Sequence, residues 1–122
     1  MAGTAVLSEP CFRESPVWER TITYTLTTTS GGDEIKYALP MNGILQKIVC
    51  KVGAATGITG TLTLAIDDNG DNEIFTVAAL AESTTYTYNV SEPLAGVIDI
   101  GVDPSDDPTG GTWTIVVTLR GI

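Results

Sequence analysis

Carboxylate side chains are the groups in this sequence whose type and spacing could support chemistry. Asp67, Asn69 and Asp71 occupy alternate positions of one acidic segment, as do the first ligands of a calcium-binding loop. Gly70 falls between two of these positions instead of directly after the third, and the bidentate glutamate that comes later in a calcium-binding loop has no counterpart. We therefore interpret Asp67–Asn72 as a solvated hairpin turn and assign no metal ligands.

A second acidic group, formed by Asp103, Asp106 and Asp107, lies near the end of the chain. Paired carboxylates can act as general acid and general base, as they do in glycosidases. These three lie beside proline and glycine residues in a segment typical of a surface loop, where carboxylates are usually hydrated. We interpret them as loop residues.

The residues that nucleophilic catalysis needs are missing from the sequence. It contains no histidine, which excludes Ser-His and Cys-His pairs. No glycine-rich phosphate-binding loop follows a predicted strand. We therefore expect a protein that is not an enzyme, with no catalytic residues and no cofactor.

The sequence has two cysteines, Cys11 and Cys50, whose pairing would close a long loop. The N-terminus lacks the basic and apolar regions of a signal peptide, so we expect a reducing compartment in which thiols stay free. Cys50 has the strand parity of Ile48 and Val52, which predicts a buried side chain. The sequence favours free thiols and leaves the pairing open.

The composition is acidic and moderately apolar. The chain has 122 residues, a formal net charge of -9, and 43% hydrophobic but only 17% charged residues. This length suits one domain with a real core. The basic residues are scattered, whereas nucleic-acid binding needs clustered lysine and arginine, and no apolar run is long enough for a membrane-spanning helix. Neither nucleic acid nor a membrane is expected as a partner.

Large apolar residues alternate with threonine and other polar residues in short segments between residues 20 and 122. A period of two predicts β-strands, and threonine is a β-branched residue that favours sheet. The eight predicted strands cover residues 20–29, 35–39, 44–52, 60–66, 73–77, 86–90, 98–102 and 112–120. The predicted fold is an all-β, eight-stranded antiparallel β-sandwich, jelly-roll-like, with four strands in each sheet.

Two segments fit this pattern poorly. In the third strand Ile44, Ile48 and Cys50 share one predicted inward face, and Gln46 is an anomaly among them. Residues 78–83 could form one helical turn or a loop that crosses between the sheets. Most aromatic residues occupy inward positions, which favours core packing over a sugar-binding surface.

Residues 1–19 show no sustained period, so the predicted organisation is an extended N-terminal arm of residues 1–19 before a sandwich domain of residues 20–122. Exposed aromatic and apolar residues in an arm favour docking on another surface. We predict that the partner-binding residues are Phe12, Arg13, Val17 and Trp18.

Three stretches carry a resemblance to a known family: residues 42–52, residues 60–82, and residues 93–103 together with residues 110–121. Their threonine-rich strands, acidic hairpin, Gly-Gly before the last strand and final Leu-Arg resemble those of jelly-roll head decoration (cement, or auxiliary capsid) proteins of tailed bacteriophages. The resemblance implies a non-enzymatic structural virion protein, synthesised in the host cytoplasm and bound to the outer capsid surface. Its implied partners are the major capsid protein and other copies of itself, often in a homotrimer.

Two other interpretations stay open. The first is a carbohydrate- or receptor-binding β-sandwich module of a phage tail or fibre, which coplanar exposed aromatic residues on one sheet would favour. The second is an adhesin or pilus-like subunit, which the missing secretion signal disfavours.

Overall fold

The computed structural model describes residues 3–8, 17–28, 34–68, 70 and 72–122. All the regular secondary structure among these residues consists of β-strands. They are β1 (Thr4–Ser8), β2 (Trp18–Thr27), β3 (Ile35–Pro40), β4 (Gly43–Val52), β5 (Thr61–Asp67), β6 (Glu73–Ala81), β7 (Thr84–Leu94), β8 (Val97–Pro104) and β9 (Thr112–Gly121). No helix among the described residues is long and apolar enough to cross a membrane.

The strands form two antiparallel sheets. Sheet A has five strands in the order β1-β2-β9-β4-β7, and sheet B has four in the order β3-β8-β5-β6. β9 returns between β2 and β4, and β8 returns between β3 and β5, which is the pairing of a jelly roll. The predicted fold class is confirmed, with nine strands instead of eight.

The predicted alternation explains which side of each strand is buried. In β5 every second residue is buried, so Leu62, Leu64 and Ile66 face the other sheet while threonine and alanine face outward. In β9 the same pattern buries Trp113 and Ile115. Because each inward side chain contributes about 1.5–3 kcal/mol on full burial, the shared inner faces hold the two sheets together.

Two polar atoms in the core connect to backbone carbonyls. The Tyr24 hydroxyl of sheet A donates a hydrogen bond to the Ile100 carbonyl of sheet B. The Trp113 indole N–H donates to the Gly53 carbonyl at 2.8 Å. Both large rings can therefore be buried without leaving a polar group unpaired.

The predicted inward face of β4 is wrong at its start. Ile44 is 39% exposed and Leu45 is fully buried, the reverse of the expectation. The pairing of β4 with both β7 and β9 shifts register between Leu45 and Lys47. This β-bulge places Gln46 at the surface and inverts the alternation of the residues before it.

Of the two predictions for residues 78–83, the helical turn is wrong, and the crossing between the sheets is correct but is confined to residues 82–83, between β6 of sheet B and β7 of sheet A. β6 continues to Ala81, and a register shift in its pairing with β5 absorbs Ala79, whose φ is 59°. The carboxylate of Glu82 accepts hydrogen bonds from the backbone N–H groups of Ala55 and Gly60, both at 3.2 Å. The segment is therefore the end of one strand and a tight turn into the next.

The boundary predicted at residue 19 differs from the structure. β1 pairs with the Thr21–Thr25 part of β2, so residues of the predicted arm form an edge strand of sheet A. Trp18 begins β2 and is only 8% exposed. The sandwich thus includes both segments, and the residues between them, 9–16, lie outside the described residues.

Candidate interaction surfaces

The acidic segment after β5 is a hairpin turn, as predicted, because β5 and β6 pair on either side of it. The Asp68 carboxylate accepts hydrogen bonds from the backbone N–H groups of Asn72, at 2.9 Å, and Gly70, at 2.8 Å. These bonds lower the pKa of Asp68. Asn69 and Asp71 lie outside the described residues, and the described part of the chain shows no group of three potential metal ligands.

The other acidic group is divided between a strand and a loop. Asp103 belongs to β8 and is exposed. Asp106 lies in the loop after β8, where its carboxylate accepts a hydrogen bond from the N–H of Asp107 at 2.8 Å. Asp106 and Asp107 are thus loop residues, as predicted, whereas Asp103 belongs to the strand, which the prediction ended at residue 102.

Cys50 is a free thiol buried in the core, while Cys11 lies outside the described residues. Burial raises the pKa of Cys50 to about 12, because a thiolate would lose its hydration there. A protonated, enclosed thiol is a poor nucleophile. Cys50 therefore acts as a small core residue, as its strand parity predicts.

Because the Cys50 thiol is buried, the free energy of unfolding should decrease at alkaline pH. In the unfolded chain Cys50 ionises near its ordinary value of 9.0, whereas in the folded chain it stays protonated to about 12. Its contribution is complete below about pH 9 and is lost as the pH rises toward 12, at roughly 1 kcal/mol per pH unit. Denaturant melts across this range should show a steeper loss for the native sequence than for Cys50→Ala. Equal slopes would contradict the buried thiol.

The predicted partner-binding residues have different surroundings. Phe12 and Arg13 lie outside the described residues. Trp18 lies over Gly43 and Gly121 in its own chain, so its ring is a core element and not a contact offered to a partner. Val17 is 37% exposed.

Val17 belongs to a row of apolar side chains at one end of the outer face of sheet A. Ile44 and Ile122 exchange two backbone hydrogen bonds, of 2.7 and 3.0 Å, and are 39% and 45% exposed. Ile44 also pairs with Pro93 of β7, and the register that pairs β2 with β9 places Val17 beside Ile122. We call these four residues, which cross four strands, the apolar row.

Sequence reasoning found one residue of the apolar row and missed three. It placed Ile44 inward because the alternation was extended across Gln46. Ile122 and Pro93 belong to strand ends, where periodicity gives no signal. The anomalous position of Gln46 was the one clue that β4 changes phase.

No described aromatic residue is exposed. Tyr24 and Trp113 are fully buried, and the rings of Phe75 and Tyr88 pack on each other with their centroids 5.0 Å apart. Tyr37 and Tyr86 are half-buried and pack against the core. The described part of the chain thus offers no exposed ring platform of the kind that stacks on sugars.

Comparison with known proteins supports the fold. No protein-family model and no curated protein matches the sequence. Among solved structures, a chain of the Bacillus endospore appendages, described as a family of disulfide-linked pili, is 16% identical with a TM-score of 0.53. That match covers 99% of this chain and 90% of that chain.

Two further solved structures are similar. A chain of the capsid of Helicobacter pylori bacteriophage KHP30 is 12% identical with a TM-score of 0.50, and the match covers 98% of this chain and 93% of that chain. The mitogen of Yersinia pseudotuberculosis is 14% identical with a TM-score of 0.47, over 85% of this chain and 86% of that one, and is too distant to support an argument. At these identities the likeness shows a shared β-sandwich fold.

Proposed function

We propose that the protein is a non-enzymatic structural protein of a phage virion. In this proposal it binds the outer surface of the capsid, contacts the major capsid protein and stabilises the contacts between capsomers, as a homo-oligomer. The observation that carries the proposal is the apolar row, because it is a continuous line of exposed apolar side chains at one end of the outer face of sheet A.

The apolar row has the form expected of a docking edge. Its four residues lie on adjacent strands of a rigid sheet, so they can be buried together without the ordering cost of a flexible loop. A row of this size gives a weak single contact. Several copies held together would bind a repeating capsid lattice tightly, since each added contact becomes intramolecular.

Two further observations support this proposal over the alternative of a carbohydrate- or receptor-binding module. The described aromatic residues are in or against the core, whereas a sugar platform needs exposed rings. The resemblance of three sequence stretches to phage decoration proteins agrees with the jelly-roll topology, and one solved structure of similar fold is a chain of a phage capsid.

The proposal is tested by adding native or variant protein to capsids that lack it and measuring how much protein binds. Ile44→Glu and Ile122→Glu each place a charge where the proposal buries an apolar side chain, and burying an unpaired charge is costly. Each variant should lower occupancy at a fixed protein concentration by about tenfold or more. Point variants are preferable to truncation, because removing residues 1–18 would also remove β1 and Trp18 from the sandwich.

The matched control is Val6→Glu. Val6 is 61% exposed on the same face of sheet A, but pairs with Thr23, about 20 Å along β2 from Val17. It should leave occupancy unchanged. The proposal fails if the native protein does not bind capsids, or if all three variants bind as well as the native protein.

A further inference from the structure

The outer face of sheet A consists largely of threonine and valine. Cross-strand pairing arranges its side chains in rows that run over all five strands. One row is Ser8, Thr21, Thr118, Val49 and Thr87, and the next is Val6, Thr23, Val116, Lys51 and Thr85. Such short side chains would let another surface approach closely.

This face is cationic although the whole chain has a net charge of -9. Lys47 and Lys51 project outward from the middle of β4, and Arg120 lies beside Lys47 on β9. Glu19 is the acidic residue on this face among the described residues, and its carboxylate forms an ion pair with Arg120. The two lysines are therefore the charges available to a partner.

The outer face of sheet B has the opposite charge. Asp99, Asp67 and Glu73 are direct cross-strand neighbours and form an acidic row over β8, β5 and β6. Glu34 and Asp103 add two carboxylates nearby, since Ile35 pairs with Val102. Like charges opposite each other on a sheet repel, so this row gains from an external cation-bearing surface.

The carboxylates of this face also affect Lys36, a lysine that lies among them. Lys36 lies 3.5 Å from Glu34. Its pKa is raised, first by Glu34 and also by Asp67 and Asp99. Between the carboxylates the outward residues are small, with Ala38, Ala65 and Gly101 among them.

We propose that the outer face of sheet A of one copy stacks on the outer face of sheet B of a second copy. Lys47 and Lys51 then lie against the acidic row of Asp99, Asp67 and Glu73. The two faces are complementary in charge, and short side chains surround the charges on both, which favours orientation and encounter of this pair over like-on-like pairing. The contact needs no capsid and does not depend on the proposed function.

The geometry also sets the size and form of the assembly. Sheet B is the smaller face, with an area of roughly 500 Å², so the contact buries roughly 1,000 Å² in total and belongs to the weak class. The two faces lie on opposite sides of one sandwich. Their contact is therefore heterologous and repeats as an open row, in contrast to a closed trimer.

Sedimentation equilibrium from about 10 μM to about 1 mM tests the proposal at concentrations where weak contacts form. The average mass of the native protein should rise continuously without a plateau at three copies. It should fall when salt is raised from about 0.05 M to about 0.5 M, because these charges are exposed to solvent.

Changing the charge of either face should weaken self-association. Lys47→Glu with Lys51→Glu makes both faces acidic, whereas Asp67→Lys with Asp99→Lys removes the excess negative charge of sheet B, because Lys36 and the two new lysines then balance Glu34, Glu73 and Asp103. Each double variant alone should associate at least about tenfold more weakly than the native protein. An equal mixture of the two should associate again, because the unchanged sheet A of the second variant then meets the unchanged acidic sheet B of the first.

Two controls keep the result interpretable. Thr59→Lys changes the charge in the exposed loop before β5, off both faces, and should have no effect. If the lysine variant of sheet B does not fold, Asp67→Asn with Asp99→Asn should still weaken association. A native protein that stays monomeric, a trimer indifferent to both reversals, or a mixture that fails to associate would each overturn the proposal.

Discussion

Replacement of Trp113 by alanine should lower the free energy of unfolding by about 3–5 kcal/mol, the loss typical of a buried tryptophan. Trp113 is fully buried on the inward face of β9. A Cβ at Gly60 would lie 2.6 Å from its ring, which shows how closely the two elements pack. The substitution would leave a cavity and also remove the hydrogen bond to the Gly53 carbonyl.

Denaturant unfolding followed by far-ultraviolet circular dichroism measures this effect without relying on tryptophan fluorescence. Trp113→Phe should have an intermediate effect, because it keeps an aromatic ring but loses the N–H donor. Thr112→Ala, at the exposed neighbouring position, should change stability by no more than about 0.5 kcal/mol. A loss under about 1 kcal/mol for Trp113→Ala would contradict the packing described here.

Gly121→Ala should be the most disruptive change near the apolar row. A Cβ at this position would lie 1.9 Å from the Ile44 carbonyl oxygen and 2.7 Å from Cζ2 of Trp18. The first of these atoms belongs to the backbone and cannot move without separating β9 from β4. We expect a loss of about 1–3 kcal/mol or more, typical of overpacking, together with displacement of Ile44 and Ile122.

The matched control for this change is Gly110→Ala. Its Cβ would meet Thr56 at 3.6 Å, an ordinary contact, so stability should stay the same or rise slightly through a less flexible unfolded chain. Both variants are compared by thermal and denaturant melts, and then by capsid occupancy. If Gly121→Ala is as stable as Gly110→Ala, the close approach of Gly121 to Ile44 is not present in solution.

The regular parts of the fold could be predicted from the sequence because alternation reports directly on burial. β5 and β9 alternate over their whole length and β2 alternates from Ile22 onward, and the structure buries the apolar face of all three. Alternation fails where pairing is irregular. The bulge in β4 and the register shift in β6 depend on neighbouring strands, and a single strand's sequence carries little sign of them.

The interaction surfaces were harder to predict for a related reason. Trp18 appeared to belong to an arm because β1 and the residues before Arg20 lack a long period, yet pairing with β9 places it in the core. The charge difference between the two outer faces is invisible in the linear chain. It arises only because the topology brings Asp67 beside Asp99, although 32 positions separate the two residues in the sequence.

The bulge at Gln46 also bears on how relatives of this protein are recognised. The bulge exchanges the inward and outward positions of β4 on either side of Gln46. A relative without the bulge would therefore align with both halves of β4 only if a gap of one residue were placed between them. Position-by-position scoring would penalise that gap, although the core would be the same. Superposition of backbones tolerates it, and is therefore the better way to find distant members of this group.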